Sequence, residues 1–253
     1  MTNDWSFARR PFWIFSHLFA LAVVVSFVFF GWWQLSRHYE RADRNALIEE
    51  RSTPPAASVI EALDEPADQL DFRFVTGPAT YVDDEVVSVA NRSQGGVAGR
   101  YVVGLAELPG GRLLLVNRGF VPLDEEAVEI EPAPTGLVEV EGWLRASVAR
   151  GAFGAADTGQ GDLVPRLDVD AIAERLGGAD LAPVWLQLAP DPNQATATFP
   201  DPVPLPAVDG GPHISYMLQW FTFATLGVVF YGALLRRNAR HDPRVERVAV
   251  TDG

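Results

Sequence analysis

Side chains that could bind a metal or act as nucleophiles are scarce in this 253-residue chain. It has no cysteine, two methionines and four histidines, which are His17, His38, His213 and His241. The absence of cysteine excludes disulfides and thiolate metal sites, and the soft ligands that copper prefers are nearly missing. Because no histidine lies between His38 and His213, that stretch cannot hold a Ser/His/Asp triad, a Cys/His pair or a histidine-rich zinc site.

Carboxylates are plentiful, so the inventory alone does not exclude a glycosidase, which needs a pair of them. The densest clusters are DDE at 83–85 and DEE at 124–126. Adjacent acidic residues of this kind are typical of a solvated turn. We therefore expect no enzymatic activity from this chain.

The stretch PHISYMLQWFTF at 212–223 combines polar and aromatic residues at the start of a long apolar run. Helical spacing places the following residues on one face: His213, Tyr216 or Met217, Trp220, Ala224 and Gly227. One interpretation is an interfacial aromatic belt, in which Tyr216 and Trp220, with Trp33 of an earlier apolar run, anchor the helix at the membrane surface. In the other, this face meets a partner, because a polar face that points into lipid would be costly.

Two uncharged apolar runs must position these residues, Phe12 to Trp33 and Ile214 to Leu235, each 22 residues long. At about 1.5 Å per residue, a helix of this length covers a bilayer core of roughly 30 Å. A signal peptide has a shorter apolar core and a small-residue cleavage site, so the first run is expected to be an uncleaved anchor. The predicted organisation is a cytoplasmic N-terminus at 1–11, a transmembrane helix at 12–33, a helical extension at 34–51, a β-rich domain with proline-rich connectors at 52–213, a transmembrane helix at 214–235 and a basic tail at 236–253.

Arginines flank the two runs and predict their orientation. Arg9 and Arg10 precede the first run, and a larger cluster follows the second; because basic residues are retained on the cytoplasmic side, we expect both termini there and the central domain outside the plasma membrane. Residues 34–213 contain 13 Arg and 29 Asp plus Glu, a net charge of −16, which argues against binding to nucleic acid. All 20 basic residues are arginine, which suggests a GC-rich bacterial genome.

The sequence predicts a central domain that is rich in antiparallel β-strands and has one or two short helices. The predicted fold class is therefore an α+β membrane protein. The candidate strands are Phe72 to Tyr81, Glu85 to Asn91, Gly99 to Leu108, Arg112 to Phe120, Leu137 to Arg145 and residues 183–190. LPGGR at 108–112 is a hairpin turn signal. Asp168 is the expected N-cap of a short helix that stops at Gly177, and the Gly- and Ala-rich stretch within 146–166 is expected to be a loop.

Five motifs in this order resemble the Surfeit locus protein 1 family of cytochrome c oxidase assembly factors. They are GWWQLSR at 31–37, FRFVTGPATY at 72–81, LLLVNRGFVP at 113–122, EGWLR at 141–145 and PHISYMLQWFTFA at 212–224. The resemblance covers residues from about 12 to 237. One departure is Gln219, because the family often has Thr just before the tryptophan.

The resemblance implies a role in maturing haem-copper oxidase, either by handling haem a or by holding the oxidase core subunit while haem a is inserted. The implied partners are that subunit, haem a synthesis proteins and membrane lipid. For haem a, His213 would bind the iron, and Tyr216, Trp220 and Trp33 would supply aromatic walls. His38 is a conceivable second ligand. In the alternative interpretation, His213 only anchors the span.

Arg118 has two possible roles. Its planar guanidinium could pair with a haem propionate or with an acidic side chain of the client. Alternatively, Asn117, Arg118 and Gly119 form a strand end with a tight turn, and Pro122 stops the ladder. Two other functions stay open: an assembly scaffold or accessory oxidase subunit that binds no haem, and an unrelated two-span sensor or surface enzyme.

Overall fold

A computed structural model describes residues 5–53, 55–123, 130–151, 162–191 and 199–240. The acidic cluster at 124–126, residues 152–161 of the predicted loop and residues 241–253 of the predicted tail, which include His241, lie outside these residues. The helices are α1 (Pro11–Arg51), α2 (Val59–Ala62), α3 (Val169–Arg175) and α4 (His213–Ala239), with short 3-10 helices at Ser6–Arg9 and Ala67–Gln69. The strands are β1 (Ala57–Ser58), β2 (Phe74–Gln94), β3 (Val97–Glu107), β4 (Leu113–Pro122), β5 (Leu137–Ala146), β6 (Leu163–Val164) and β7 (Leu181–Leu188).

The chain divides into two compact units, one of residues 1–45 with 209–253 and one of residues 46–208. The first unit contains α4 and most of α1, and both helices are long and apolar enough to cross a membrane. Helix α1 begins at Pro11, whose fixed φ suits the first helical position, and continues without a break through the predicted span and the predicted extension. The second unit is a β-rich domain with short helices. The predicted fold class, two membrane helices flanking such a domain, is confirmed.

The second unit is built around a closed barrel. The first part of β2 pairs with β5 and the remainder pairs with β3, and the ring continues through β4 and β7 back to β5. Counted along the chain, the five barrel strands follow the order 1-2-3-5-4-1, the connectivity of OB-fold barrels. The expected antiparallel pairing holds around the ring except between β4 and β7, which are parallel. The sheet is therefore mixed.

Strand β2 differs from its prediction. Two strands were expected, with residues 82–84 between them, but β2 runs through the acidic cluster at 83–85 as one strand whose register shifts between Tyr81 and Val87. The shifts let β2 bend from its partner β5 to its partner β3, as bulges do at barrel corners. Asp83 and Asp84 are exposed. Asp83 and Asp84 are thus solvated as expected, in an irregular part of a strand instead of a turn, whereas Glu85 is half-buried and ion-paired with Arg100.

Local signals in the domain were predicted correctly. In the hairpin turn, the Gly111 amide donates to the Leu108 carbonyl at 2.9 Å, and both Gly110 and Gly111 have positive φ. Asp168 caps α3 by accepting a hydrogen bond from the Ala171 amide. Gly177, just after the end of α3, has a φ of +75°, a conformation that glycine adopts without strain.

Two apolar clusters stabilise the domain. The first fills the barrel interior, because every barrel strand contributes to it, and α2 packs against it through Val59 and Ala62. The second lies on the opposite side of the strands, where Val169 and Ile172 of α3 pack on residues such as Leu115 and Trp185. The outer surface of β3, β4 and β7 is therefore covered by the protein itself.

Gly142 sits where β5 is paired on both sides, to Val75 and to Leu188. A Cβ at this position would lie 2.1 Å from the Gln187 carbonyl oxygen. We expect Gly142→Ala to lower the free energy of unfolding by about 1–3 kcal/mol, since backbone atoms would have to move. Thermal or denaturant unfolding of the detergent-purified protein measures this.

Gly151→Ala is the matched control, because a Cβ there meets no atom of the described residues within 4 Å. It should change stability by less than about 0.5 kcal/mol. Equal unfolding midpoints for the two variants would show that β5 does not need this close approach.

Candidate functional site

The candidate site lies where the start of α4 meets α1. His213 is the first residue of α4, and its Nδ1 lies 2.9 Å from Oε1 of Gln34, the residue after Trp33. An amide oxygen can only accept a hydrogen bond, so the Nδ1–H of His213 must donate. With the proton on Nδ1, this tautomer leaves the lone pair of Nε2 available for a metal.

The other end of the helix pair has a second histidine contact, with different chemistry. The hydroxyl of Tyr231 lies 2.6 Å from Nδ1 of His17 and 3.1 Å from Oγ of Ser16. Nε2 of His17 lies 3.2 Å from the Ala8 carbonyl oxygen. Both ring nitrogens of His17 are thus engaged within the protein, which distinguishes His17 from His213 as a possible ligand.

Between these ends, α1 and α4 pack closely through small residues. A Cβ at Gly31 would lie 2.8 Å from the ring of Phe221, and one at Gly227 would lie 3.3 Å from Cγ2 of Val24. Ala224 is only 6% exposed. The absence of side chains at the two glycines leaves room for the Phe221 ring and the Val24 side chain, and the two helices lie side by side.

The aromatic residues predicted for the site divide into two groups. The ring of Trp220 packs against α1, with centroids 5.1 Å from Phe30 and 5.7 Å from Phe27. Tyr216 and Trp33 are instead 48% and 46% exposed. Of the two alternatives for the shared face, Met217 is half-buried with His213 and Trp220, and Tyr216 is exposed.

Gln34 is a site residue that sequence reasoning missed. Gln34 is a polar residue, it directly follows the predicted span, and it belongs to the GWWQLSR motif. Together, these three features could have identified it as a candidate site residue. His38 follows one helical turn later on the same face of α1. Its Nδ1 is buried and has no hydrogen-bond partner among the residues that the structure describes.

A group of hydrogen bonds to Asp209, which we call the clasp, fixes the chain just before α4; the donors are Arg41, Asn45 and the Gly211 amide. Arg41 donates to Asp209 through Nη2 to Oδ1 at 2.6 Å and through Nε to the carbonyl oxygen at 2.9 Å. Asn45 donates to the same carbonyl at 2.7 Å, and the Gly211 amide donates to Oδ1 at 2.9 Å. The Arg41 hydrogen bond, followed by that from Gly211, lowers the pKa of the Asp209 carboxyl. The clasp therefore holds at neutral pH and orients the residues that lead into His213.

Arg118 belongs to the barrel unit. In β4, Asn117 and Gly119 pair with the adjacent residues Val103 and Val102 of β3, so Arg118 is the extra residue of a β-bulge. Its guanidinium donates to two backbone carbonyls, those of Asp84 and Glu131. The predicted tight turn at 117–119 is therefore wrong, because β4 continues through the bulge and ends at Pro122, as predicted for the proline.

Next to the bulge, β4 also forms backbone hydrogen bonds with the segment of the chain that follows β7. The amide and carbonyl of Phe120 bond to the carbonyl and amide of Asp201 at 2.7 and 2.8 Å. Gly119 has a φ of +148°, and a Cβ there would lie 2.4 Å from the Asp201 carbonyl oxygen. Burial raises the pKa of the nearby Tyr81 hydroxyl to about 12, and the Arg118 charge partly offsets this. These contacts give LLLVNRGFVP a structural role in the barrel.

Comparison with known proteins links both units to one family. The family model described as the SURF1 family matches residues 21–225. Uncharacterized SURF1-like proteins from Mycobacterium bovis and from two strains of Mycobacterium tuberculosis are 28% identical to this chain over 239 residues. The alignments cover 90% of this chain and 84% of each relative. Mycobacteria have GC-rich genomes, in agreement with the arginine-only basic composition.

The packing of Gly227 on Val24 predicts a disulfide between the two helices. Since a Cβ at Gly227 lies 3.3 Å from a methyl of Val24, the two Cβ atoms are close to the roughly 3.5–4.5 Å that a disulfide requires. We expect Val24→Cys with Gly227→Cys to oxidise in membranes and to lose reaction with a maleimide reagent until a reductant is added. The chain has no other cysteine.

Val25→Cys with Gly227→Cys is the control, because Val25 is 56% exposed and lies on another side of α1. Its two thiols should stay reactive. If both pairs react equally with the maleimide after oxidation, the close approach of the helices is wrong.

Proposed function

Because the chain belongs to the SURF1 family, we propose that it is an assembly factor for haem-copper cytochrome c oxidase that assists delivery or insertion of haem a. Family membership supports the class of function, oxidase assembly. The observation that supports haem handling is the contact between Gln34 and His213. The proposed partners are the oxidase core subunit, haem a synthesis proteins and membrane lipid, and we propose no catalytic reaction.

The residues of the helix pair fit a haem. A metal-binding histidine usually donates its second ring nitrogen to an oxygen acceptor, which fixes the tautomer and raises the basicity of the ligand. Gln34 does this for His213, at the end of a membrane helix where an isoprenoid tail would meet lipid. Haem a, if bound, would supply an iron that His213 would hold through the imidazole nitrogen that does not contact Gln34. Tyr216 and Trp33 offer exposed aromatic surface in the same helix pair, and Trp220, whose ring packs on Phe27 and Phe30, is the third aromatic residue proposed for the site.

We propose that the protein lies in the plasma membrane with both termini cytoplasmic and the barrel outside. The support is the distribution of arginine, with Arg9 and Arg10 before α1 and Arg236, Arg237 and Arg240 at the end of α4. In this orientation, the Gln34 and His213 contact lies near the outer surface of the membrane, and the His17 and Tyr231 contact lies near the inner surface.

His213→Ala tests the ligand. In cells that make haem a, we expect the purified variant to carry at least about tenfold less haem than the unchanged protein, because the iron loses its nitrogen ligand. The absorption spectrum and extracted haem of detergent-purified protein measure this. The amount of protein in the membrane should not change, since one residue at the membrane surface contributes little to insertion of a 22-residue span.

His17→Ala is the matched control, because His17 also makes a hydrogen bond between the two helices. If haem loss came only from loosening of the helix pair, both variants would lose it. The ligand proposal expects loss in His213→Ala alone. A normal haem spectrum in well-expressed His213→Ala would leave the scaffold that binds no haem as the better function.

Gln34→Leu tests the acceptor while keeping the ligand. Loss of such an outer hydrogen bond typically weakens metal binding by about 10–100-fold, and we expect a decrease of this size in haem affinity by titration of the purified protein. Gln34→Glu should restore most of the affinity, because its carboxylate accepts the same hydrogen bond. Gln219→Leu, which removes a glutamine from the opposite side of α4, should leave haem affinity unchanged. Equal affinity in Gln34→Leu would contradict the proposed role of Gln34.

A further inference from the structure

Helix α4 has a second face, opposite to the one that packs on α1, which we call the distal face. Steps of three or four residues place the following on it: Ser215, Gln219, Thr222, Leu226, Val229, Ala233, Arg237 and Arg240. All of them are exposed. The distal face is polar in its first half, apolar in its middle and basic at its end.

The polar half is unusual for a surface in lipid. Within the part of the chain that the structure describes, the side chains of Ser215 and Gln219 have no hydrogen bond, and Thr222 donates only to the Leu218 carbonyl of its own helix, at 2.8 Å. A primary amide has two donors and one acceptor group, and leaving them unsatisfied in hydrocarbon is costly. Polar side chains of membrane helices therefore usually face protein.

Helix α1 provides an internal comparison. Over the predicted span 12–33, its exposed side chains are mainly large and apolar, for example Phe15, Phe19, Val25 and Phe29. The exposed Ser26 satisfies its hydroxyl through the Ala22 carbonyl at 2.8 Å. The surface of α1 thus suits lipid, whereas the distal face of α4 contains an unsatisfied amide.

The basic end of the distal face indicates the kind of partner. Arg237 and Arg240 form no ion pair with any described residue. If two copies of this chain joined through the distal face with parallel helices, these arginines would face each other and repel. A helix with a carboxylate at the same level would complement them.

We propose that the distal face of α4 docks a transmembrane helix of another membrane protein, which presents a hydrogen-bonding side chain to Gln219 and a carboxylate to Arg237 and Arg240. Only the identity of that protein as the oxidase core subunit rests on the function proposed above. The surface itself is inferred from α4 and does not depend on haem.

Photo-crosslinking in native membranes tests the surface. Benzoylphenylalanine is introduced into the full chain at Gln219 or Thr222, and at Phe19 of α1 as the lipid-facing control. We expect adducts from the two α4 positions and none from Phe19, with the crosslinked residue mapped by mass spectrometry to a transmembrane helix of a different protein. Adducts between two copies of this chain, adducts with lipid alone, or equal adducts from all three positions would each overturn the proposal.

Charge reversal separates a specific contact from chance proximity. Arg237→Glu, with the crosslinker at Gln219, should lower the adduct yield at least about threefold, and so should a carboxylate-to-arginine change in the mapped partner helix. The two changes together should restore the yield. An unchanged yield in Arg237→Glu would overturn the charge complementarity.

The two proposals can fail separately. Loss of haem in His213→Ala without adducts from Gln219 would overturn the docking surface and leave haem handling intact. Adducts from Gln219 together with normal haem in His213→Ala would do the reverse. Adducts that map to a membrane protein other than the oxidase core subunit would support the surface and overturn the identity of the partner.

Discussion

The hydrogen bond between Gln34 and His213 depends on two membrane helices that are far apart in the sequence meeting at close range. Lipid gives no hydrophobic force that favours contact between helices, so packing and polar contacts must hold them together. Hydrogen bonds between membrane helices contribute only about 0.6–2 kcal/mol each, so the two histidine contacts cannot hold the pair alone. The close approach at Gly31 and Gly227 supplies the packing. It also brings the Gln34 side chain within reach of the imidazole.

The two histidines between the helices show how surroundings decide chemistry. His17 uses both ring nitrogens, one toward Tyr231 and one toward the Ala8 carbonyl, so it can only connect the helices. His213 uses one nitrogen toward an amide oxygen, and its other nitrogen, Nε2, has no hydrogen-bond partner among the described residues. The clasp of Arg41 on Asp209 adds to this arrangement. Because the pKa of Asp209 is lowered, its carboxylate keeps its charge as the pH falls until the pH passes that lowered pKa, so the segment before His213 stays tied above it.

The motifs that resemble the family fall into two physical groups. Three of them form barrel strands and contain the positions where backbone packs on backbone, such as Gly119 and Gly142. Arg145 of EGWLR is held by Asp71 at 3.1 Å and by Gln187 at 2.8 Å, and its guanidinium stacks on Phe72. The structural role of these residues is to allow the barrel strands to pack and close. The other two motifs supply Gln34 and His213, so the recognisable sequence outside the barrel meets at one contact in the membrane unit.

Local interactions could be predicted from the sequence, whereas pairings between distant segments could not. The apolar runs, the Asp168 cap and the hairpin at 108–112 each depend on residues a few positions apart. The parallel pairing of β4 with β7 depends on where the chain returns after α3, and the bulge at Arg118 appears only when β4 is aligned with β3. Gln34 belongs to the same class, because its spacing within α1 does not show which residue of α4 it meets. Gln34 is polar and adjacent to a span, and no contact within its own helix explains it. Its counterpart, His213, lies on the other span.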